Sequence, residues 1–270
     1  MKANQLVKVL TTIGIGVLSM GLLVGCGAKK AEQPAETVAP ATEKETPKTE
    51  EKDYIVMGTN AEFEPFEYRD GSDVVGFDVE IAKAVAAKMG KELKIEDMEF
   101  GSLIVALNNS QIDFIAAGMS VTPEREQQVD FSDKYFKSKQ VIIVKADNNE
   151  ITTADNLVGK KVGVQLGTTG DLFVSMTDGI EVISFDKAPL AVMDLQAGKV
   201  DAVVIDAEPA KKLVEGQADI KVIDAPFVEE EYAIAVRKGD SELLTAINET
   251  IKEMKENGEY DKALATFFTN

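Results

Sequence analysis

The chain has 270 residues, 47 acidic side chains against 29 basic ones, a net charge of −18, no His, no Trp and a single Cys. So acidic a balance argues against nucleic acid as a partner. The missing His removes the commonest general base and metal ligand and leaves any metal site to carboxylates alone. A solitary Cys excludes an internal disulfide.

Residues 1–25 read as a lipoprotein signal peptide. Lys2 and Lys8 precede an apolar run from Val9 to Val24 that is interrupted by Gly14, Gly16 and Gly21, too short to span a bilayer as a permanent helix. The run ends in Leu23-Val24-Gly25-Cys26, which resembles a bacterial lipobox and implies cleavage before Cys26 and acylation of its thiol, as by palmitate. Residues 28–52 hold three Pro, eleven charges and no aromatic residue, too little apolar surface to offset the entropy of ordering. Residues 26–52 are therefore expected to be a disordered tether, holding a globular head roughly 25 to 30 Å from a membrane on random-coil scaling. The leader carries +2 and the tether −1, which leaves −19 for the part from Asp53 onward.

Those remaining 218 residues suffice for one large domain or two small ones. Tyr54 to Met57 predicts a strand, and a hairpin turns on Asp70-Gly71. Asp78 is placed to cap a helix whose apolar stripe is Val79, Ile81, Ala82, Val85, Ala86 and Met89, ended by Gly90. A strand over Leu93 to Asp97, a helix from Gly101 to Asn108 and a strand over Phe114 to Ala117 follow. The order βαβαβ predicts a parallel sheet. Gln140 to Lys145 and Tyr232 to Arg237 predict two further strands. Between them lies a second α/β unit: strands over Lys161 to Val164, Val182 to Phe185 and Ala202 to Ile205, and helices over Gly170 to Met176, Ala188 to Gln196 and Glu208 to Glu215. The expected architecture is an α/β fold of two lobes, residues 53–141 with 236–270 and residues 142–235. Each lobe is a mostly parallel sheet flanked by helices, and the two strands crossing between them form a hinge. A single continuous sheet is the alternative.

The stretch LNNSQID, Leu107 to Asp113, recurs 88 residues later as LQAGKVD, Leu195 to Asp201, each copy running into a short apolar strand. Five residues beyond one repeated Asp stands Gly118, with Ser120, Thr122 and Arg125 after it; five beyond the other stands Asp206. Ligands of open α/β sheets sit beyond the carboxyl ends of the strands. Two such sheets face to face would put Arg125 and Asp206 on opposite walls of one cleft, an arrangement that suits a zwitterion.

The segment Ala117-Gly118-Met119-Ser120-Val121-Thr122-Pro123-Glu124-Arg125 is the densest polar constellation. Gly118 lets a ligand approach the backbone, Ser120 offers a hydroxyl, and Thr122 caps a turn that Pro123 opens. The Arg125 guanidinium can grip a carboxylate bidentately; a surface pair with Asp130 or Asp133 would use it equally. Phe63 and Phe100 stand in polar surroundings where two rings could clamp a side chain or pack into the core. Gln165-Leu166-Gly167-Thr168-Thr169 forms a strand end that offers backbone N–H groups to an anion, without the residues of a nucleotide loop.

In order and spacing, TNAEFEPFEY, GFDVEIAKAVA, AGMSVTPERE to VDFSD, VGVQLGTTG and DAVVID resemble the extracellular solute-binding proteins, family 3, of polar amino acid ABC transporters. The resemblance covers essentially all of Asp53 to Asn270 and implies a type II periplasmic-binding-protein-like fold with no catalysis and no cofactor. It implies a monomeric receptor, lipid-anchored at Cys26 on the extracytoplasmic face of a bacterial cell membrane, that delivers one L-amino acid to a membrane permease. By the same resemblance Arg125, Ser120 and Thr168 take the ligand α-carboxylate. Asp206 and the Gly118 carbonyl take the α-ammonium, Phe63 and Phe100 sandwich the side chain, and Asn60 and Gln165 meet its far end. The whole expected ligand-binding set is Asn60, Phe63, Phe100, Ala117, Gly118, Met119, Ser120, Arg125, Gln165, Thr168, Thr169 and Asp206.

Relatives that take cationic or glutamine side chains often have Asp where this chain has Asn60. The neutral pair Asn60 and Gln165 therefore favours an uncharged polar ligand such as glutamine over arginine or lysine; a receptor of the same type for arginine, lysine or cystine is the alternative. Glu62 could restore a negative charge, although alternation points it away from the Phe63 ring. A rival reading is an enzyme resembling cyclohexadienyl dehydratases, which share this scaffold and use an acid in the cleft. A third is a sensory or adhesive lipoprotein with no permease.

Overall fold

The structure, a computed structural model, describes residues 52–268. The signal peptide of residues 1–25, the acylated Cys26 and the tether up to Glu51 lie outside the described residues. Among the described residues no helix is long and apolar enough to cross a membrane.

The chain starts with β1 (Tyr54–Thr59) and a small antiparallel sheet of β2 (Glu62–Phe63), β3 (Glu67–Asp70) and β4 (Asp73–Val75), the hairpin turning at Gly71-Ser72, one residue past the expected Asp70-Gly71. Then come α1 (Phe77–Lys88), β5 (Glu92–Asp97), α2 (Leu103–Asn108), β6 (Phe114–Ile115), α3 (Pro123–Glu126) and β7 (Val129–Phe131). The long β8 (Phe136–Lys145) leads into β9 (Lys161–Gln165), α4 (Thr169–Ser175), β10 (Glu181–Phe185), α5 (Ala188–Gln196), β11 (Ala202–Asp206) and α6 (Ala207–Val214). The chain ends with β12 (Ile220–Tyr232), β13 (Ala235–Arg237), α7 (Ser241–Asn257) and α8 (Glu259–Phe267).

These strands make two separate five-stranded sheets, ordered β5-β1-β6-β13-β7 and β10-β9-β11-β8-β12. In each the three strands of the α/β unit run parallel and the returning strand joins antiparallel. The chain changes sheet between β7 and β8 and again between β12 and β13. Residues 136–141, expected with the first lobe, therefore pair in the second sheet, and Ala235 pairs in the first. The inward positions of the early part of β8 are Ser138 and Gln140, both buried, and their polarity hides the strand's alternation from the sequence.

Burial on both faces explains the unbroken apolar runs. Val141 and Ile143 of β8 join Val203 and Ile205 of β11 under Ala191 and Leu195 of α5. Ile142 and Val144 pack on the opposite face with Val162, Val164 and Val174. The first sheet repeats the arrangement, with Met57 and Phe114 under α1 and α7 and with Val56 and Ile115 under Leu103 and Leu107 of α2. Truncating a fully buried Leu such as Leu107 to Ala would cost about 2–5 kcal/mol.

Asp78 does not cap α1. Gly76 stands at the cap, and Asp78 is the second residue of the helix, its buried carboxylate accepting from the Gly118 N–H at 2.9 Å and the Tyr135 hydroxyl at 2.6 Å. The expected strand over Phe114 to Ala117 stops at Ile115, leaving Ala117 and Gly118 free of the ladder at the strand's carboxyl end.

Candidate functional site

The carboxyl ends of five strands converge. Asn60 follows β1, Phe100 follows β5, and Ala117 and Gly118 follow β6. Gln165 ends β9 and Asp206 ends β11. With Phe63, Glu67, Ser120, Arg125, Thr168 and Thr169 they line one narrow pocket between the two sheets, with a cavity volume of about 10 Å³. Eleven of the twelve expected residues are brought together there. Met119 is not: it alternates away from Gly118 and Ser120 into the core around Leu103 and Val129.

Arg125 is held by its local fold. Thr122 caps α3 by accepting from the Arg125 N–H at 3.3 Å, and Pro123 opens the helix. The guanidinium is buried, donates to the Ser120 carbonyl at 2.7 Å and the Gly167 carbonyl at 3.0 Å, and lies 5.2 Å from the Phe100 ring centroid. Asp130 instead pairs with Lys238, so the surface-pair alternative for Arg125 does not hold. Burial lowers the Arg125 pKa, and the charges of Glu230 and Asp206 work against that.

Opposite it, Asp206 is buried and accepts from Gln140 Nε2 at 2.9 Å, from Ser138 Oγ at 3.2 Å and from the Tyr232 hydroxyl. Its pKa is pushed up, first by burial and then by the charge of Glu230. Glu230 itself accepts from Ser120 Oγ at 2.8 Å and Gln140 Nε2 at 3.2 Å. The acidic wall therefore has more negative groups than the single Asp206 that the sequence pointed to.

Gly118 adopts φ +53°, and a Cβ there would lie 2.6 Å from Phe63 Cε1. Only Gly permits the Phe63 ring to close down on this backbone. Phe63 packs on Phe66 and Tyr232 at centroid distances of 5.7 and 6.5 Å, so it serves the core and the cavity together. Thr168 caps α4; its hydroxyl donates to the Gln165 carbonyl at 2.8 Å and its N–H reaches the same carbonyl at 3.3 Å. Thr169 accepts from Gln140.

At the far end, Gln165 Nε2 donates to Asn60 Oδ1 at 2.9 Å and to the Asp186 carbonyl at 3.3 Å, while Asn60 Nδ2 donates to the Met98 carbonyl at 2.9 Å. Both amide nitrogens are thus engaged by the protein; Asn60 Oδ1 takes one of these bonds itself, and an amide oxygen can accept a second. Glu62 is outside the cavity lining and pairs with Lys187 at 2.6 Å.

Sequence reading missed Glu67 in the lining and Ser138, Gln140, Glu230 and Tyr232 behind Asp206. A buried acid inside an aromatic stretch, Phe66-Glu67-Tyr68, was the available signal for the first. Glu230 sits in a run of three Glu that reads as solvated.

The family description "bacterial extracellular solute-binding proteins, family 3" matches residues 55–270. The chain is 40% identical over 224 residues to the arginine-binding extracellular protein ArtP of Bacillus subtilis (strain 168), covering 81% of this chain and 87% of that protein. The arginine-bound form of truncated ArgBP from T. maritima aligns with a TM-score of 0.73 at 45% identity, over 75% of this chain and 96% of that one. An ancestral arginine-binding protein bound to glutamine aligns with a TM-score of 0.78 at 42% identity, over 82% and 100%. These neighbours share the two-lobed type II periplasmic-binding fold. With a family match that runs through both sheets and every strand end lining the cavity, the chain belongs to family 3 of the bacterial extracellular solute-binding proteins.

Proposed function

We propose that this protein is the extracytoplasmic receptor of an ABC importer and binds one L-amino acid between its two lobes. The observation that carries the reading is the opposition, in one closed cavity, of Arg125 from the first lobe and Asp206 from the second. A zwitterion satisfies both only when the lobes are together, so the ligand stabilises closure, and exclusion of water strengthens both contacts. Arg125 with Ser120 and Thr168 would take the α-carboxylate, and Asp206 with the Gly118 carbonyl the α-ammonium. In taking a ligand carboxylate, Arg125 would exchange one or both of its carbonyl contacts for a charge-assisted bidentate pair.

The side chain we infer is a hydrogen-bond donor, arginine before glutamine. Asn60 and Gln165 have their amide nitrogens engaged by the protein, while their oxygens can each accept a further bond from a ligand donor. The arginine binding of ArtP and the arginine-bound form of ArgBP support this. The binding of glutamine by an arginine-binding ancestor, together with the neutral amide pair here, supports glutamine as the second reading.

Lobe 1 is proposed as residues 53–135 with 233–270 and lobe 2 as residues 136–232, the hinge lying at the two points where the chain changes sheet. Anchoring through an acylated Cys26, a monomeric state and delivery to a membrane permease complete the proposal, which assigns no catalytic step.

The test is a thermal-shift and calorimetric screen of the full chain against the twenty amino acids plus ornithine and cystine. At 100 times its dissociation constant a ligand adds about 2.7 kcal/mol. Stabilisation by arginine above glutamine is expected. No response to any amino acid would refute the receptor reading and turn attention to dehydratase assays.

A further inference from the structure

The floor of the cavity holds two acids to which the ligand scheme gives no part. Glu67 of β3 and Asp78 of α1 are both completely buried. Glu67 lines the cavity. Asp78 uses Oδ2 to hold the Gly118 N–H and the Tyr135 hydroxyl. Its Oδ1 and both Glu67 carboxyl oxygens have no donor when the two groups are written as carboxylates. Two bare anions in a dry interior are untenable, and the two carboxyls are within hydrogen-bonding contact of one another. One proton between them resolves all of this: Glu67 donates it to Asp78 Oδ1, Asp78 stays ionised for Gly118 and Tyr135, and Glu67 keeps an oxygen free.

We infer that Glu67 and Asp78 share one proton beneath the pocket, so that Glu67 stands as a neutral acid whose free oxygen accepts a hydrogen bond from the ligand α-ammonium. The inference rests on the amino acid reading above. An ammonium has three donors, and the scheme so far supplies Asp206 and the Gly118 carbonyl. Glu67 is placed for the third, because Asp78 ties it to Gly118 and the charge of Asp206 acts on it. The groups facing the pair are Tyr135 ahead of β8, Asp206 at the end of β11 with Tyr232 and Glu230 of β12 behind it, and Arg125 of the same lobe. Burial, then the charge of Asp78, raises the Glu67 pKa well above the usual carboxylate range, which agrees with the proton residing there.

The experiment is calorimetry of the full chain with L-arginine and L-glutamine, which share the same α-ammonium, on wild type, Glu67→Gln and Glu67→Leu. The amide of Gln can donate to Asp78 and accept from the ammonium, so Glu67→Gln is expected to bind within about threefold of wild type. Glu67→Leu is expected to lose roughly tenfold or more for both ligands, the usual loss for a hydrogen bond to a charged group. Wild-type affinity in Glu67→Leu overturns the inference. So does an equal loss in Glu67→Gln, which would mean that Glu67 acts as an anion. Carboxyl carbon NMR of ligand-free wild type tests the pair without ligand and without a variant that must fold. A Glu67 signal at the protonated position across neutral pH is expected, and one at the ionised position overturns the inference. Failure of wild type to bind either amino acid would instead refute the receptor reading and leave the NMR result standing on its own.

Discussion

Gln165 reaches from the end of β9 in the second lobe to Asn60 at the end of β1 in the first, its Nε2 donating to Asn60 Oδ1 at 2.9 Å. The bond closes the far end of the cavity and orients both amides, since Asn60 Nδ2 is in turn committed to the Met98 carbonyl. A ligand donor can still use the amide oxygens, each of which accepts up to two bonds. Asn60→Leu, similar in size and without polar atoms, is therefore expected to weaken L-arginine binding by roughly tenfold or more, on the scale of a hydrogen bond to a charged group. Asn60→Asp should favour arginine over glutamine more strongly than wild type does. Calorimetric titration with both amino acids reads the ratio, and an unchanged ratio in Asn60→Asp would contradict the placement of the ligand side chain here.

Arg125 donates only to backbone carbonyls, so it is the cation left to meet a ligand anion in this cavity. Arg125→Lys keeps the charge and loses the planar fork; a fall in amino acid affinity of at least about tenfold is expected. Arg125→Ala also leaves the Ser120 and Gly167 carbonyls short of a donor, a cost of about 1–3 kcal/mol in stability where they stay buried. Denaturant unfolding beside calorimetry separates the two effects. Near-wild-type affinity in either variant would rule out the carboxylate assignment.

The parallel core of each lobe was legible because its strands are buried on both faces: Phe114 to Ala117 and Ala202 to Ile205 are unbroken apolar runs, and Gly118 and Asp206 follow them directly. The walls were legible too, since Gly118 and Asp206 fall just past such strands, and Arg125 lies in the short helix α3 that follows Gly118. The support behind them was not. Ser138 and Gln140 turn inward along β8, a pattern that looks like surface unless the buried Asp206 they serve is known. Asp78 occupies a helix-start position and was read as a cap, yet its carboxylate faces Gly118, a contact 40 residues away that no local pattern encodes.

Gly118→Ala should damage both fold and site. The residue sits at φ +53°, a conformation that costs an L side chain about 1–2 kcal/mol, and the added methyl would collide with Phe63 at 2.6 Å. A loss of roughly 1–3 kcal/mol in unfolding free energy and weaker ligand binding are expected together. A variant as stable as wild type would mean that Phe63 can withdraw freely, and would remove the argument that its ring position is fixed by Gly118.

The acids around the cavity set a pH dependence whose sign follows from their shifts. Glu67, Asp78 and Asp206 are all held above the ordinary carboxylate range, Asp78 at about 6 and Asp206 at about 8, with burial the largest cause in each. In this window the folded chain keeps protons that the unfolded chain has lost, so stability falls as pH rises. For Asp206 the contribution is fully present below about pH 4 and is lost by the time pH passes about 8. Asp130 and Glu150, held low by the Gly239 amide and by Lys160, act in the opposite sense, but only at and below the ordinary carboxylate range. The ligand-free melting temperature should therefore decline between mildly acidic and mildly alkaline pH. A bound ammonium reverses this, because it pairs with ionised Asp206 and binding must release the proton. Amino acid affinity is expected to rise by up to tenfold per pH unit until pH approaches about 8. Melting curves across that range, and calorimetry in buffers of different ionisation enthalpy, measure both effects. Binding that exchanges no proton at neutral pH would show that Asp206 is already ionised in the empty cavity, and with it that the neighbouring Glu230 does not hold its charge back.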